Sequence, residues 1–130
     1  MKIVLMTTAF VALVAATMLP NCTGWILDYG RPAAQFEAAD LASKGDQFKG
    51  RKITVRGMVT MVDTTDPESA KICLAHGILC DLGKFKGMAE GYKVGSVIYI
   101  DGILKRCNED DCLLAPAIGR DPQASFVPAK

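Results

Sequence analysis

Five cysteines and a single histidine are the residues of this 130-residue chain best suited to metal or thiol chemistry. Cys73, His76 and Cys80 lie close together in the sequence, and thiolate and imidazole groups are ligands of zinc and copper. Their spacing matches no standard zinc motif, and the chain has no Cys-x-x-Cys pair of the kind used in thiol exchange. The sequence therefore predicts no cofactor, and these three residues form the alternative ligand set for a metal.

Four of the cysteines are placed to close two hairpins by disulfide bonds. A two-residue turn between the first pair would set Cys73 opposite Cys80, and a tight acidic loop would set Cys107 opposite Cys112. Directly opposed strand residues lie within disulfide reach, and exported proteins commonly carry such bonds. A bond between Cys80 and Cys112 is the alternative, because the third and fifth strands of the barrel described below are neighbours.

Acidic side chains are concentrated in two predicted loops. They are Asp63, Asp66, Glu68, Glu109, Asp110 and Asp111. Brought to one rim, they would suit a basic protein surface or a cation such as calcium, and they would repel a phosphate backbone. The competing interpretation is that they are solvated loop tips, which is what acidic turn residues most often are.

Groupings typical of enzymes do not occur in the chain. There is no Ser, His and Asp set, no glycine-rich phosphate loop and no pair of acids at strand ends, and the one histidine falls in a predicted turn. The sequence thus predicts that the protein is not an enzyme.

The formal net charge of +1 gives no strong overall electrostatic field that would attract a nucleic acid. The basic residues at the start of the first strand could meet anionic lipid or a glycan, but a charged outer strand face ordinarily serves solubility; they are Lys49, Arg51, Lys52 and Arg56.

The elements that position these residues are organised around two similar segments, Gly50–Gly57 and Gly95–Gly102. Both read Gly-x-x-Ile-x-(Val or Ile)-x-Gly, and their alternating apolar residues predict strands with one buried face. The glycines mark sharp turns or close approaches of another backbone. The first strand is predicted to continue past Gly57 with Val59 and Met61 facing inward.

The remaining elements complete a five-stranded plan. A helix is predicted from Pro32 to Gly45, followed by the long strand, a hairpin at His76-Gly77, a connector with one helical turn, and a final hairpin. This order predicts a mainly β protein, a Greek-key OB-fold barrel preceded by a helix. An open five-stranded sheet is the alternative. In an OB-fold the two acidic loops would flank the usual binding groove, and residues 70–82 would supply no aromatic ring for base stacking.

The amino-terminal segment resembles an export signal, since Lys2 precedes the apolar run 3–19. Cleavage near Ala16, lipidation of Cys22 and retention as a membrane anchor all remain open. The predicted organisation is a signal or anchor over 1–22, a linker over 23–31, the OB-fold domain over 32–119 and a tail over 120–130. The protein is expected to be exported, either periplasmic or membrane-associated.

The segments Phe36–Gly57 and Gly95–Gly102 also resemble a known family. Ala38-Ala39-Asp40, Phe48-Lys49-Gly50-Arg51-Lys52 and Val55-Arg56-Gly57 are similar to motifs of the tRNA-anticodon-binding-like OB domains of small exported bacterial proteins. The resemblance implies an OB barrel behind an export signal, and it supplies no catalytic residue.

These observations predict a non-enzymatic binding or assembly module of the cell envelope that recognises a protein partner. A metal-binding envelope protein is one alternative, and an oligonucleotide- or oligosaccharide-binding protein is another. Nucleic acid is disfavoured by the acidic loops and by the missing aromatic platform.

Overall fold

The computed structural model describes residues 31–130, so the predictions about the export segment, the linker and Cys22 lie outside the described residues. The elements are β1 (Ala34–Glu37), α1 (Ala38–Lys44), a short 3-10 turn (Asp46–Phe48), β2 (Lys52–Asp63), β3 (Ala70–Leu74), β4 (Ile78–Gly83), α2 (Lys86–Glu90), β5 (Val97–Asn108) and β6 (Asp111–Gly119). Within this part of the chain no helix has the length and apolar character needed to cross a bilayer.

Strands β2 to β6 close into a five-stranded barrel, which confirms the predicted fold class. The strands neighbour one another in the order β2-β3-β4-β6-β5, and β5 pairs with β2 to complete the circle. The β4 and β6 strands run parallel, whereas the other neighbouring pairs of the barrel are antiparallel. This is the strand order of a Greek-key OB barrel.

The two similar glycine-flanked segments close the barrel by pairing with each other. Ile53 lies opposite Gly102, and Gly57 lies opposite Ile98. A Cβ on Gly57 would come within 2.9 Å of the Ala38 Cβ, so the absence of a side chain lets α1 approach the strand. The predicted role of this glycine in a close approach is therefore confirmed.

The helix predicted to begin at Pro32 starts later, because the residues before it form β1. Residues 34–37 run parallel to the first half of β2, with Phe36 opposite Val55. Pairing with β2 satisfies backbone groups and buries Phe36 completely, which outweighs the helical tendency of this alanine-rich segment. The predicted end of the helix at Gly45 is confirmed.

One predicted side-chain orientation and one predicted turn length are wrong. The register of β2 against β3 shifts between Val59 and Met61, so Val59 is buried while Met61 is 47% exposed. The β3–β4 turn spans three residues, 75–77, rather than two. A shift of one residue sends every following side chain to the other face of a strand.

The segment predicted as a tail, residues 120–130, has no helix or strand and packs on the barrel. The Arg120 backbone N–H donates to the Tyr99 carbonyl at 2.8 Å, and the Ala129 N–H donates to the Gln35 carbonyl at 2.7 Å. The segment therefore crosses from β5 to the outer edge of β1.

Candidate functional site

An apolar surface covers the outside of the barrel where β2 leaves β5 and joins β3. Strand register brings its members together: Val97 lies opposite Met58, and Met61, Cys73 and Leu79 form a row across β2, β3 and β4. Thr60 lies between them and donates its hydroxyl to the Cys73 carbonyl at 3.2 Å. We call these six residues the Met58/Met61 face.

Two open grooves adjoin on this face and share Ala75 and His76 in their walls. One, of about 540 Å³, runs between the start of α1, β5 and the β3–β4 turn. The other, of about 650 Å³, lies over β3 and β4. The two grooves therefore adjoin at the β3–β4 turn.

The side chains of the face are unusually exposed for their type. Met58 is 44% exposed, Met61 is 47% exposed and Val97 is 60% exposed. The groove over β3 and β4 has one charged wall residue, Lys71, and no Phe, Tyr or Trp. Methionine has flexible unbranched side chains that adapt to different apolar partners. The groove over β3 and β4 is thus suited to an apolar contact and lacks a Phe, Tyr or Trp platform for bases, whereas the other groove has Arg56 and Tyr99 in its wall.

The register of β3 and β4 overturns the predicted opposition of Cys73 and Cys80. Cys73 lies opposite Leu79, and Cys80 lies opposite Ile72. Cys73 consequently points to the outer face, whereas Cys80 is fully buried in the core. The three-residue turn is the physical reason, because it moves the pairing by one residue. This register therefore does not bring the two thiols together for the predicted disulfide.

The register of β3 and β4 also separates the three residues predicted as an alternative metal site, Cys73, His76 and Cys80. Cys73 and Cys80 lie on opposite faces of the sheet, and His76 is exposed in the turn with φ +73°. Among residues 31–130 no three His, Cys, Asp or Glu side chains are grouped to hold a metal ion. Burial, with a smaller effect of Asp63, raises the pKa of the Cys73 thiol, so little thiolate forms at neutral pH.

The predicted register of Cys107 and Cys112 is confirmed. The two residues lie opposite each other, and their Sγ atoms are 3.8 Å apart. The Cys107 thiol donates to the Leu41 carbonyl at 3.3 Å, which ties the hairpin to α1. Burial raises the pKa of Cys112 to about 11, with a further contribution from Cys107. A disulfide at this position stays a prediction. For the alternative bond, Cys80 lies opposite Leu114, two positions along β6 from Cys112.

The two acidic loops do not share a rim, contrary to the prediction. The 64–69 loop follows Asp63, which lies opposite Lys71 at the start of β3. The β5–β6 turn instead lies against the β3–β4 turn, because the Cys112 N–H donates to the Gly77 carbonyl at 3.0 Å. These two turns lie at the other end of β3, so the six carboxylates fall into two separate groups.

Several of these carboxylates have partners within their own loops or strands. The Asp63 carboxylate accepts bonds from the Thr65 hydroxyl and N–H, which lower its pKa. Asp66 accepts the Glu68 N–H at 2.9 Å. Asp111 pairs with Arg106 at 2.7 Å. These contacts are those of ordinary turn residues.

A buried ionic cluster at the start of β2, on the same outer face as Met58 but several residues away, is not evident from the sequence. Asp101 accepts a hydrogen bond from the Thr54 hydroxyl and one from Arg120 at 3.0 Å, and it lies 3.8 Å from the Lys52 amine. Thr54, Asp101 and Lys52 are all buried. The cluster joins β2, β5 and the 120–130 segment, so Lys52 does not belong to a solvated face.

Arg56 is the centre of a second cluster that links distant parts of the chain. Its guanidinium pairs with Glu37 and lies over the rings of Phe126, at 4.7 Å, and Tyr99, at 5.8 Å. The two rings meet edge to face with their centroids 5.4 Å apart. Arg56 and Tyr99 also line the groove at the start of α1. The sequence indicated only that Arg56 alternates with buried residues and therefore lies on the outer face of its strand; it did not indicate these partners.

Comparison with models of known protein families finds no match, and comparison with curated proteins finds none either. Family membership therefore stays a prediction, although the barrel is of the OB type.

Solved structures do resemble the fold. A protein from Klebsiella pneumoniae, provisionally described as a nucleic acid-binding lipoprotein, is 13% identical with a TM-score of 0.48, over 67% of this chain and 91% of that one. A protein from Leishmania major, provisionally described as an aspartyl-tRNA synthetase, is 9% identical with a TM-score of 0.47, over 85% of this chain and 27% of that one. Neither likeness transfers a ligand or an activity.

Proposed function

We propose that this protein is a non-enzymatic binding module of the cell envelope that recognises a protein partner through the Met58/Met61 face. The observation that carries the proposal is the exposure of Met58, Met61 and Val97 on one outer face that borders two adjoining grooves. Contiguous exposed apolar side chains cost free energy in water, and proteins that keep them usually use them for association.

The chemistry of the face favours an apolar protein segment over a nucleic acid. A single-stranded nucleic acid needs basic side chains along its backbone and aromatic rings under its bases. The groove over β3 and β4 offers one lysine and no Phe, Tyr or Trp, and its one ring is the His76 imidazole in the turn. Flexible methionines beside a valine are instead suited to pack against an apolar side chain of a partner protein. That side chain would occupy a groove and displace water from it.

The proposed location follows from the sequence before the barrel. Lys2 and the apolar run 3–19 resemble an export signal, and the family resemblance implies the same compartment. Cys22 is the proposed point of lipid attachment if the protein is membrane-anchored.

The test replaces one exposed apolar residue inside the face and one outside it. Met61→Asp puts a carboxylate where the partner would exclude water, whereas Phe85→Asp makes the same kind of change at a 51% exposed residue that lines neither groove. With a photo-crosslinking amino acid at Val97, we expect one reproducible adduct in native envelope preparations. Met61→Asp should reduce its yield about tenfold or more, because a desolvated unpaired carboxylate costs well over 1.4 kcal/mol.

Phe85→Asp should leave the adduct unchanged. Equal adduct yields in the two variants would contradict the proposal, and so would salt-sensitive retention of the purified protein on single-stranded DNA.

A further inference from the structure

The 120–130 segment is bound to the barrel in the way that a peptide ligand is bound to a protein. It lies along the outer edge of β1, opposite the edge that pairs with β2. The Ala129 N–H donates to the Gln35 carbonyl at 2.7 Å. The Gln35 side chain contacts the segment twice more, because its Oε1 accepts the Val127 N–H at 2.7 Å and its Nε2 donates to the Ser125 carbonyl at 3.2 Å.

These three bonds recognise the main chain of the segment and not its side chains. The Gln35 amide presents one donor and one acceptor, as a neighbouring strand would, and the β1 carbonyl adds another acceptor. Main-chain bonds to a free sheet edge are the basis of peptide recognition by strand addition. Any extended segment of suitable reach could therefore make them.

One side chain of the segment, the Phe126 ring, packs against side chains of the barrel. The Phe126 ring lies 4.7 Å from the Arg56 guanidinium and 5.4 Å from the Tyr99 ring centroid. Glu37 pairs with the Arg56 guanidinium and holds it in position. The next residue, Val127, is 71% exposed and contributes little. The site thus selects an aromatic ring by cation–π and edge-to-face contacts and tolerates other residues beside it.

The segment is joined to β6 by a compact turn. The Asp121 carboxylate accepts the Gln123 N–H at 2.8 Å, and the Ala124 N–H donates to the Asp121 carbonyl at 3.0 Å. Beyond this turn, residues 125–129 are held by the main-chain bonds, the Phe126 ring, the packing of Ala129 against the core and a weak bond from the Lys44 amine to the Ala129 carbonyl at 3.4 Å.

We propose that Gln35 and the Arg56/Tyr99 pair form a peptide-recognition site for an extended segment with one aromatic side chain, and that residues 125–129 of the same chain occupy it. The site is distinct from the Met58/Met61 face, so the proposal goes beyond the function proposed above. Arg56 and Tyr99 also border the first groove, so displacement of the segment would uncover one wall of that groove.

Because the occupant belongs to the same chain, a free peptide must compete against an effective concentration in the millimolar range. Weakening the attached segment should therefore strengthen the binding of a free peptide. A segment that merely packs on the surface would give no such increase, which makes the direction of the effect diagnostic.

The experiment uses the full chain and a fluorescent peptide corresponding to residues 121–130. Fluorescence anisotropy should show that Phe126→Ala in the chain raises the apparent affinity for this peptide about tenfold or more over the unaltered chain. A peptide with alanine in place of Phe126 should bind at least about tenfold more weakly. Arg56→Ala, added to the Phe126→Ala chain, should cause a similar loss.

Val127→Ala in the chain is the matched control, since it removes a neighbouring exposed side chain and keeps the backbone N–H. The affinity of this variant for the peptide should equal that of the unaltered chain. Ala129→Pro is a second release variant that removes the N–H donated to Gln35 and restricts the local backbone while keeping the Phe126 ring, and it should also raise the affinity. Equal affinity of the unaltered and both release chains for the peptide would overturn the proposal. Equal binding of the Phe and Ala peptides would overturn it as well.

Discussion

Gly77 shows how a single residue decides the packing of two turns. A Cβ at this position would lie 2.2 Å from the Asp110 carbonyl oxygen, and the residue also has φ +72°. The β3–β4 turn can therefore touch the β5–β6 turn only if no side chain stands between them. This contact separates the two acidic loops, since it fixes the Glu109–Asp111 group beside His76 and away from Asp63.

Gly77→Ala is expected to destabilise the barrel by about 3 kcal/mol, from the positive φ and from the clash with Asp110. Gly83→Ala separates these causes, because Gly83 has φ +60° but no atom within 4 Å of the added Cβ. It should cost only about 1 kcal/mol. Urea unfolding of the two variants measures the difference, and equal losses would show that the two turns are not in tight contact.

At the scale of elements, side-chain ion pairs and a side-chain hydrogen bond connect β2 and β5, in addition to the backbone hydrogen bonds between the two strands. Asp101 on β5 faces Thr54 and Lys52 on β2 and also binds Arg120. Removing a buried carboxylate that contacts two basic side chains is costly, because it takes an opposite charge away from both cations in a poorly solvated site.

Asp101→Asn should therefore lower the free energy of unfolding by about 3–5 kcal/mol. Asp111→Asn is the matched control, because it breaks an ion pair with Arg106 whose side chains are 55% and 41% exposed. That change should cost at most about 1 kcal/mol. Chemical denaturation of both variants tests this, and a loss for Asp101→Asn as small as that of the control would mean that the cluster is solvated.

How far the sequence predicts these elements depends on how local each signal is. The alternation and glycines of Gly50–Gly57 and Gly95–Gly102 are local, and both segments formed strands as expected, although their pairing with each other was not predicted. The orientation of Met61 and Cys73 depended on one bulge and one extra turn residue, which alternation does not reveal. Strand β1 was missed because its pairing with β2 is tertiary.

The candidate site was harder to predict than the barrel. The Arg56 cluster joins Glu37 and Tyr99 to Phe126, which is far away in the sequence. Nothing in the composition of the 120–130 segment indicated that it would be bound. The apolar surface required the correct register of β2, since Met61 was expected to face inward.

For the whole molecule, the barrel serves as a rigid frame with unlike surfaces around its circumference. The 120–130 segment and β1 cover the outside of β2 where Lys52, Thr54 and Arg56 lie. The Met58/Met61 face begins where this cover ends, and there the apolar side chains remain exposed. A partner that binds this face would bury methionines without disturbing the ionic cluster.

The most direct test of the proposed function is hydroxyl-radical footprinting in the native envelope and in purified form. If a protein partner covers the Met58/Met61 face, oxidation of Met58 and Met61 should slow about fivefold or more in the envelope, because buried thioethers are shielded from solvent. Phe85, which is 51% exposed and lies outside the face, should react equally in both samples. Unchanged oxidation of both methionines, or protection of Phe85 alone, would contradict the proposal.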